Sequence, residues 1–325
     1  MSEALRTFLE PIQGFLTRDG VSEVSINRPG EAWIEYRGDM ERVDVPAYNI
    51  ETLMQLGRLV AQATEQVVSE ENPLLSATLP EGHRVQVVFP PACEVGSVAF
   101  SIRKPSTLQY DLDTYEKIGA FAETRTEAHR DPAQDELREL YRIRAFGKFI
   151  RCAVRAHKNI IISGGTSTGK TTFLNAMLRE ISASERVITV EDAREVVLKQ
   201  PNRLHLLASR GGQGRAKVTP QQLIEACLRL RPDRIIMGEL RGAEAFSFLR
   251  AVNTGHPGSI ATLHADTAAM AFEQLVLMVT QADLGLERQQ ILDYCRSIVE
   301  IVVQLKRGEH GRRFVSEIYY AAAGV

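Results

Sequence analysis

Eight consecutive residues, Gly164-Gly165-Thr166-Ser167-Thr168-Gly169-Lys170-Thr171, have the types and spacing to hold phosphate. Gly164 and Gly169 permit backbone geometry that a Cβ would block, so the N–H groups of Gly165, Thr166, Ser167 and Thr168 can turn inward on phosphate oxygens. Lys170 then reaches the β and γ phosphates, Thr171 offers a hydroxyl to a magnesium ion, and Thr172 carries the cradle into a helix whose dipole favours the anion. Other groups of the same chemistry lie far off in sequence: Glu191-Asp192 with Glu195, then Glu239, then His264. A carboxylate beside a phosphate loop can hold magnesium through its waters or orient an attacking water, and Glu239 is the best candidate for either task. Its competing role is an acid at the N-terminus of a helix starting near Ala243. His264 can donate a hydrogen bond to a γ phosphate, although a lone histidine is more often structural.

These groups act together only if the chain brings them to one edge. The run 159–163, centred on three β-branched isoleucines, reads as a strand and 171–178 as a helix, so the glycine loop has the strand, loop and helix order that a phosphate cradle requires. Short apolar strands at 186–190, 234–237, 259–263 and 300–305 alternate with helices, which predicts a mostly parallel sheet covered on both faces and closed by a hairpin through 307–311. Phosphate sites in such sheets lie at the carboxyl ends of strands. Each acidic or imidazole candidate follows one of these strands.

Before this region, Leu5, Phe8, Leu9, Ile12, Phe15 and Leu16 repeat at helical spacing, despite Pro11 and Gly14. The apolar stripe suits a core face. Its alternative, a helix lying on a membrane, asks for a more basic opposite face. Strands at 21–26 and 31–36, a helix carrying Leu53, Leu56, Leu59, Val60 and Ala63, and strands at 85–89 and 97–102 complete a small α+β domain over residues 1–106. In 107–140 the apolar periodicity fades and charged residues crowd around Pro132, as in a solvated linker. The second domain takes 141–325.

The whole chain, 325 residues long, exceeds the size at which one core is usual. It is 44% hydrophobic and 25% charged, ordinary for a globular protein. A formal charge of -2 and pI near 6.4 argue against a surface built throughout for nucleic acid. With no run of roughly 20 apolar residues and no basic start before an apolar core, the expected location is the cytoplasm. Cys93, Cys152, Cys227 and Cys295 form no C-x-x-C pair and read as reduced, packed thiols, the last three in helices.

The glycine loop, Val190-Glu191-Asp192, the run from Arg231 to Arg241 and the run from Gly255 to Ala265 resemble, in order, the Walker A, Asp, atypical Walker B and His boxes of the secretion traffic ATPases. Within that family, Ile26-Asn27-Arg28-Pro29-Gly30-Glu31 and the run from Arg84 to Pro91 are similar to the VirB-class ATPases of type IV secretion. The resemblance spans nearly the whole chain except the charged linker. It implies an α/β protein, with a RecA-like P-loop NTPase C-terminal domain after the smaller α+β domain, and a hexameric ring with ATP and Mg2+ between the two domains. Carried over by position, Lys170, Glu239, His264 and Glu191 fall in the catalytic boxes, and Thr171 and Glu239 would hold the magnesium. Arg84 and Arg103 match first-domain arginines that close over the phosphates, which suits a guanidinium's charge-assisted bonds. Arg210 and Arg215 lie in a glycine-rich loop that reads as mobile surface or reaches a neighbour's nucleotide.

Implied partners are further copies of the chain and inner-membrane secretion components, including other secretion ATPases. The setting allows peripheral contact at the bacterial inner membrane and no strong sequence-specific nucleic-acid binding. The alternatives are a pilus or type II secretion motor, of which the type II relatives usually carry a paired-cysteine zinc insertion missing here, a hexameric nucleic-acid motor, and a nucleotide-binding scaffold without turnover.

Overall fold

The computed structural model describes residues 2–105, 110–122, 124, 132–209 and 216–324. Arg210 and Arg215 lie outside them, as do 107–109, Glu123 and 125–131 of the expected linker.

The first half runs α1 (Glu3–Thr17), β1 (Val21–Ile26), β2 (Gly30–Tyr36), β3 (Asp39–Val45), α2 (Ile50–Ala63), β4 (Leu74–Thr78), β5 (Arg84–Val88) and β6 (Ala99–Arg103). Its strands form one antiparallel sheet in the order β3-β2-β1-β6-β5-β4. The Ser2 side chain caps α1 by accepting from the Leu5 N–H, and Asn49 caps α2 in the same way through the Thr52 N–H. The stripe Leu5, Leu9, Ile12 and Leu16 is buried against Val24, Leu53, Leu56 and Phe100, so the apolar face of α1 is a core face. Burying such a side chain stabilises by about 1.5–3 kcal/mol before entropy is counted.

Between the sheets come α3 (Leu112–Lys117) and α4 (Pro132–Arg142). The latter departs from the expected solvated linker. Leu137, Leu140 and Tyr141 sit at helical spacing and turn inward, with Leu137 fully buried and the Tyr141 hydroxyl donating to the Ile318 carbonyl at 2.7 Å. The charged residues around them cover the outer face and hide that short apolar stripe in the sequence.

The second half runs α5 (Phe146–Arg155), β7 (Ile160–Gly164), α6 (Lys170–Met177), β8 (Val187–Glu191), β9 (Arg203–Leu207), α7 (Pro220–Leu230), β10 (Arg234–Met237), α8 (Glu244–Asn253), β11 (Ile260–Leu263), α9 (Ala268–Thr280), α10 (Arg288–Ile298), β12 (Ile301–Arg307) and β13 (Arg313–Tyr320). The sheet order is β13-β12-β7-β11-β10-β8-β9, parallel except for the β12–β13 hairpin. Strands buried on both faces explain the continuous run Ile160-Ile161-Ile162. Ile160 and Ile162 face Phe149, Leu174 and Met177, while Ile161 faces the side covered by α7 to α10. Because β7 lies between β12 and β11, and β8 lies two strands beyond β11, the chain leaves β7 at a crevice where the winding changes direction.

The first sheet abuts this second unit. Val88, Ala92, Cys93 and Ala99 join the core cluster that holds Leu206 and Leu223, and the Leu207 N–H donates to the Ala92 carbonyl at 2.9 Å. A buried polar knot reinforces the seam: Arg186 Nη1 donates to Asn27 Oδ1 (2.8 Å) and Asn202 Oδ1 (2.5 Å), and Asn27 Nδ2 donates to Asn202 Oδ1 at 2.9 Å. Burial pushes the Arg186 pKa down to about 10, against the opposing pull of Glu23 and Asp233. All four cysteines are free, three of them buried, with Cys152, Cys227 and Cys295 in α5, α7 and α10.

Candidate active site

The turn after β7 is shaped by what it cannot contain. A Cβ on Gly164 would stand 2.6 Å from Thr168 Oγ1 and 2.8 Å from the Leu305 carbonyl oxygen, so only glycine lets the loop leave the sheet so close to β12. Gly169 has φ +92° and Ser167 φ +60°, which turn the loop back on itself before α6 starts. Thr168 Oγ1 donates to the Gly165 carbonyl at 2.9 Å, and Lys170 Nζ donates to the Gly164 (2.9 Å) and Gly165 (3.2 Å) carbonyls. The residues from Thr166 to Thr172 line a cavity of about 470 Å³. Gly164 and Gly165 form the base from which the loop rises.

Across the cavity stand the tips of three more strands. Glu239, just past β10, accepts from Arg241 Nε at 2.6 Å and lies against His264 Nε2, just past β11. Arg241 Nη1 also donates to Asp192 Oδ2 at 2.7 Å, and Lys170 Nζ lies 3.4 Å from His264 Nδ1. Burial lowers the Lys170 pKa, while the Glu239 charge raises it and the Arg241 charge lowers it further. Lys170, Glu239 and His264, separated by up to 94 residues in sequence, thus meet within one cluster.

Glu191 reaches the cavity wall, but its oxygens are taken. Oε2 accepts from the N–H groups of Glu195 and Val196, both at 2.7 Å, and Oε1 accepts from the Thr189 hydroxyl at 2.8 Å. Burial works to raise its pKa, yet the donors around it prevail and hold it below the ordinary carboxylate value. It organises the loop after β8, and Glu195 is the residue whose carboxylate meets Thr171, accepting from Oγ1 at 3.2 Å. Arg84 and Arg103 are register partners across β5–β6, both exposed, and neither lines this cavity.

Arg241 and Arg313 are cavity residues that the sequence reading gave no role. Arg241 ends the run that resembles the Walker B box, which is its signal in the sequence. Arg313 had none: it enters from β13, and a Cβ on Gly169 would lie 3.0 Å from its Cδ.

The donors facing the cavity suit a hard cation. Thr171, Asp192, Glu195 and Glu239 offer hydroxyl and carboxylate oxygens, and no thiol is among the lining residues. Among the described residues no three His, Cys, Asp or Glu side chains converge on a metal cage. Magnesium held by one or two side chains, substrate phosphates and its own waters fits that arrangement.

A family model described as "Type II/IV secretion system protein" matches residues 7–309. "Type IV secretion system protein VirB11" of Bartonella quintana (strain Toulouse) is 41% identical over 329 residues, covering 97% of this chain and 92% of that protein. "Type IV secretion system protein PtlH" of Bordetella pertussis is 38% identical over 327 residues, covering 96% and 94%. The crystal structure of the VirB11 ATPase from the Brucella suis type IV secretion system, in complex with sulphate, superposes with a TM-score of 0.92 at 36% identity, covering 98% of this chain and 99% of that one.

Proposed function

The chain belongs to the type II/IV secretion system protein family, and from that premise we propose that it is a magnesium-dependent ATPase that powers type IV secretion as a ring of identical subunits. The observation that carries the reading is the meeting of Lys170, Glu239 and His264 over the loop after β7. A nucleotide laid on that loop puts its terminal phosphate toward Glu239 and His264. Loop N–H groups and Lys170 bind the β and γ phosphates, and Glu239 orients the attacking water and draws its proton. His264, held between Lys170 and Glu239, is placed to meet the γ phosphate. Thr171 and, through water, Glu239 would hold Mg2+, which would supply positive charge against the phosphates. Glu191 supports this wall by fixing the backbone of Glu195 and Val196.

Arg84 and Arg103 belong to the same reading, with one change. Because neither lines the cavity of its own chain, a neighbouring subunit would supply them, so hydrolysis would depend on assembly. A hexamer with the division between its domains in 107–140 suits this scheme. So does peripheral docking at the inner membrane beside other secretion components, since no helix among the described residues is long and apolar enough to cross a membrane.

The test is complementation. Lys170→Ala and Arg103→Ala chains should each be nearly inactive, and mixing them before assembly should restore part of the turnover, because some sites then pair an intact loop with an intact arginine. Native mass measurements with and without ATP would follow the assembly. Mixed rings as inactive as either parent would rule out the arginine in trans; full activity of Lys170→Ala alone would rule out the loop as the site.

A further inference from the structure

Glu191 is one end of a directional chain of hydrogen bonds that begins in the first sheet's unit. Glu94, in the loop between β5 and β6, accepts from Arg194 Nε at 2.7 Å. Arg194 Nη2 lies 2.8 Å from His205 Nε2. A guanidinium only donates, so that ring nitrogen accepts and the imidazole proton sits on Nδ1. His205 Nδ1 lies 2.8 Å from Thr189 Oγ1, which therefore accepts from the ring N–H and donates its own hydroxyl hydrogen bond to Glu191 Oε1, also at 2.8 Å. Glu191 Oε2 then takes the Glu195 and Val196 N–H groups. The arginine at the head thus fixes the donor direction at each step.

The far end of the chain is the nucleotide loop. Glu195 accepts from the Thr171 hydroxyl, and Asn175 of α6 clasps the same segment, donating to the Glu195 carbonyl at 3.2 Å and accepting from the Val197 N–H at 2.8 Å. The near end is anchored as firmly, since Cys93 and Ala92 pair with Leu206 and Leu207 at the free edge of β9. His205 and Glu191 are buried, so a donor lost here is not replaced freely by water.

We propose that Arg194 is a positioning residue for the phosphate site: held by Glu94 of the first unit, it sets, through His205, Thr189 and Glu191, the backbone that presents Glu195 to Thr171. The inference rests on the ATPase reading, in which Thr171 is the magnesium-side hydroxyl. Without Arg194 the ring can carry its proton on Nε2 instead. Thr189 then donates to the bare Nδ1, and Glu191 loses that donor and its fixed orientation. Movement of the loop around Glu94 would be felt at Thr171 by the same route.

The test uses the full chain and two readouts. In Arg194→Met without nucleotide, amide hydrogen exchange in peptides covering 192–197 should quicken by about tenfold, the equivalent of one charge-assisted hydrogen bond, with β7 and β10 unchanged. Arg194→Lys should recover part of the protection. Glu94→Gln, on an exposed loop, should shift exchange the same way by less, and serves if the arginine variant fails to fold. In turnover, the Mg2+ concentration for half-maximal rate should rise several-fold while KM for ATP at saturating Mg2+ changes less than twofold. Wild-type protection of 192–197 in the Arg194 variant, or loosening spread evenly over the second sheet, would overturn the proposal. A wild-type chain without ATPase activity would instead refute the nucleotide reading and leave the exchange result to judge the relay.

Discussion

Glu239→Gln removes one negative charge from the cavity and keeps the side chain's length. In the structure that charge faces Arg241 and His264 and supports the protonated state of Lys170. A Gln carbonyl can still accept from Arg241, and exposed or half-exposed pairs of this kind contribute only about 0–1 kcal/mol, so the fold should hold. What disappears is a group able to draw a proton from the attacking water. Loss of such general base assistance slows chemistry by about 10²–10⁴-fold, or about 3–5 kcal/mol of barrier. Binding should move the other way, because a carboxylate beside the γ phosphate repels it, and the neutral variant should hold ATP at least as tightly. Phosphate release at saturating Mg2+ and ATP, paired with equilibrium binding of a fluorescent ATP analogue, separates the two effects. Lys170→Ala provides the contrast, since it should lose binding and turnover together. A Glu239→Gln chain that hydrolyses ATP within threefold of wild type, or loses binding in proportion to rate, would refute the role given to this carboxylate.

Gly164→Ala forces a Cβ to 2.8 Å from the Leu305 carbonyl oxygen, and overpacking of this kind costs about 1–3 kcal/mol; the next glycine, Gly165, has nothing nearer than 4.0 Å, and its Ala variant should stay within about 0.5 kcal/mol of wild type. Equal urea midpoints for the two variants would show that the loop does not leave β7 against β12 as described. Stability should also fall with acidification, because burial holds His205 and His256 below the ordinary 6.5 and both stay neutral in the folded chain. The unfolded chain takes up those protons first, so their contribution is present above 6.5 and lost as pH falls through the lower folded values. A urea midpoint that rises from neutral to mildly acidic pH would contradict this.

Much of this was legible in the residues because it depends on local chemistry. The run Ile160-Ile161-Ile162 followed by a glycine-framed loop specifies a buried strand that must turn sharply, and the alternation of apolar strands with helices specifies a parallel sheet whose carboxyl ends collect Lys170, Glu239 and His264. The strands the sequence reading passed over lie at sheet edges: β3 and β4 close the two sides of the first sheet and β9 one side of the second. In β3, most residues are exposed and polar, so no alternation of apolar positions marks it.

Helix α4 was hidden for the opposite reason, since its short apolar stripe is outnumbered by charge and becomes visible only when Leu137 finds Phe149 and its neighbours. The site divides along the same line. That Glu191 is a fixed support and Glu195 the carboxylate facing Thr171 depends on which oxygens find donors four and five residues away and which wall each side chain reaches. The entry of Arg313 depends on the β12–β13 hairpin lying beside β7 in the second sheet, and that Arg84 and Arg103 do not line their own chain's cavity depends on how the two sheets pack against each other. A sequence fixes which groups can bind phosphate through residue type and spacing. Which of them share a cavity is settled by long-range packing, where contacts between residues far apart in the chain outweigh any local preference.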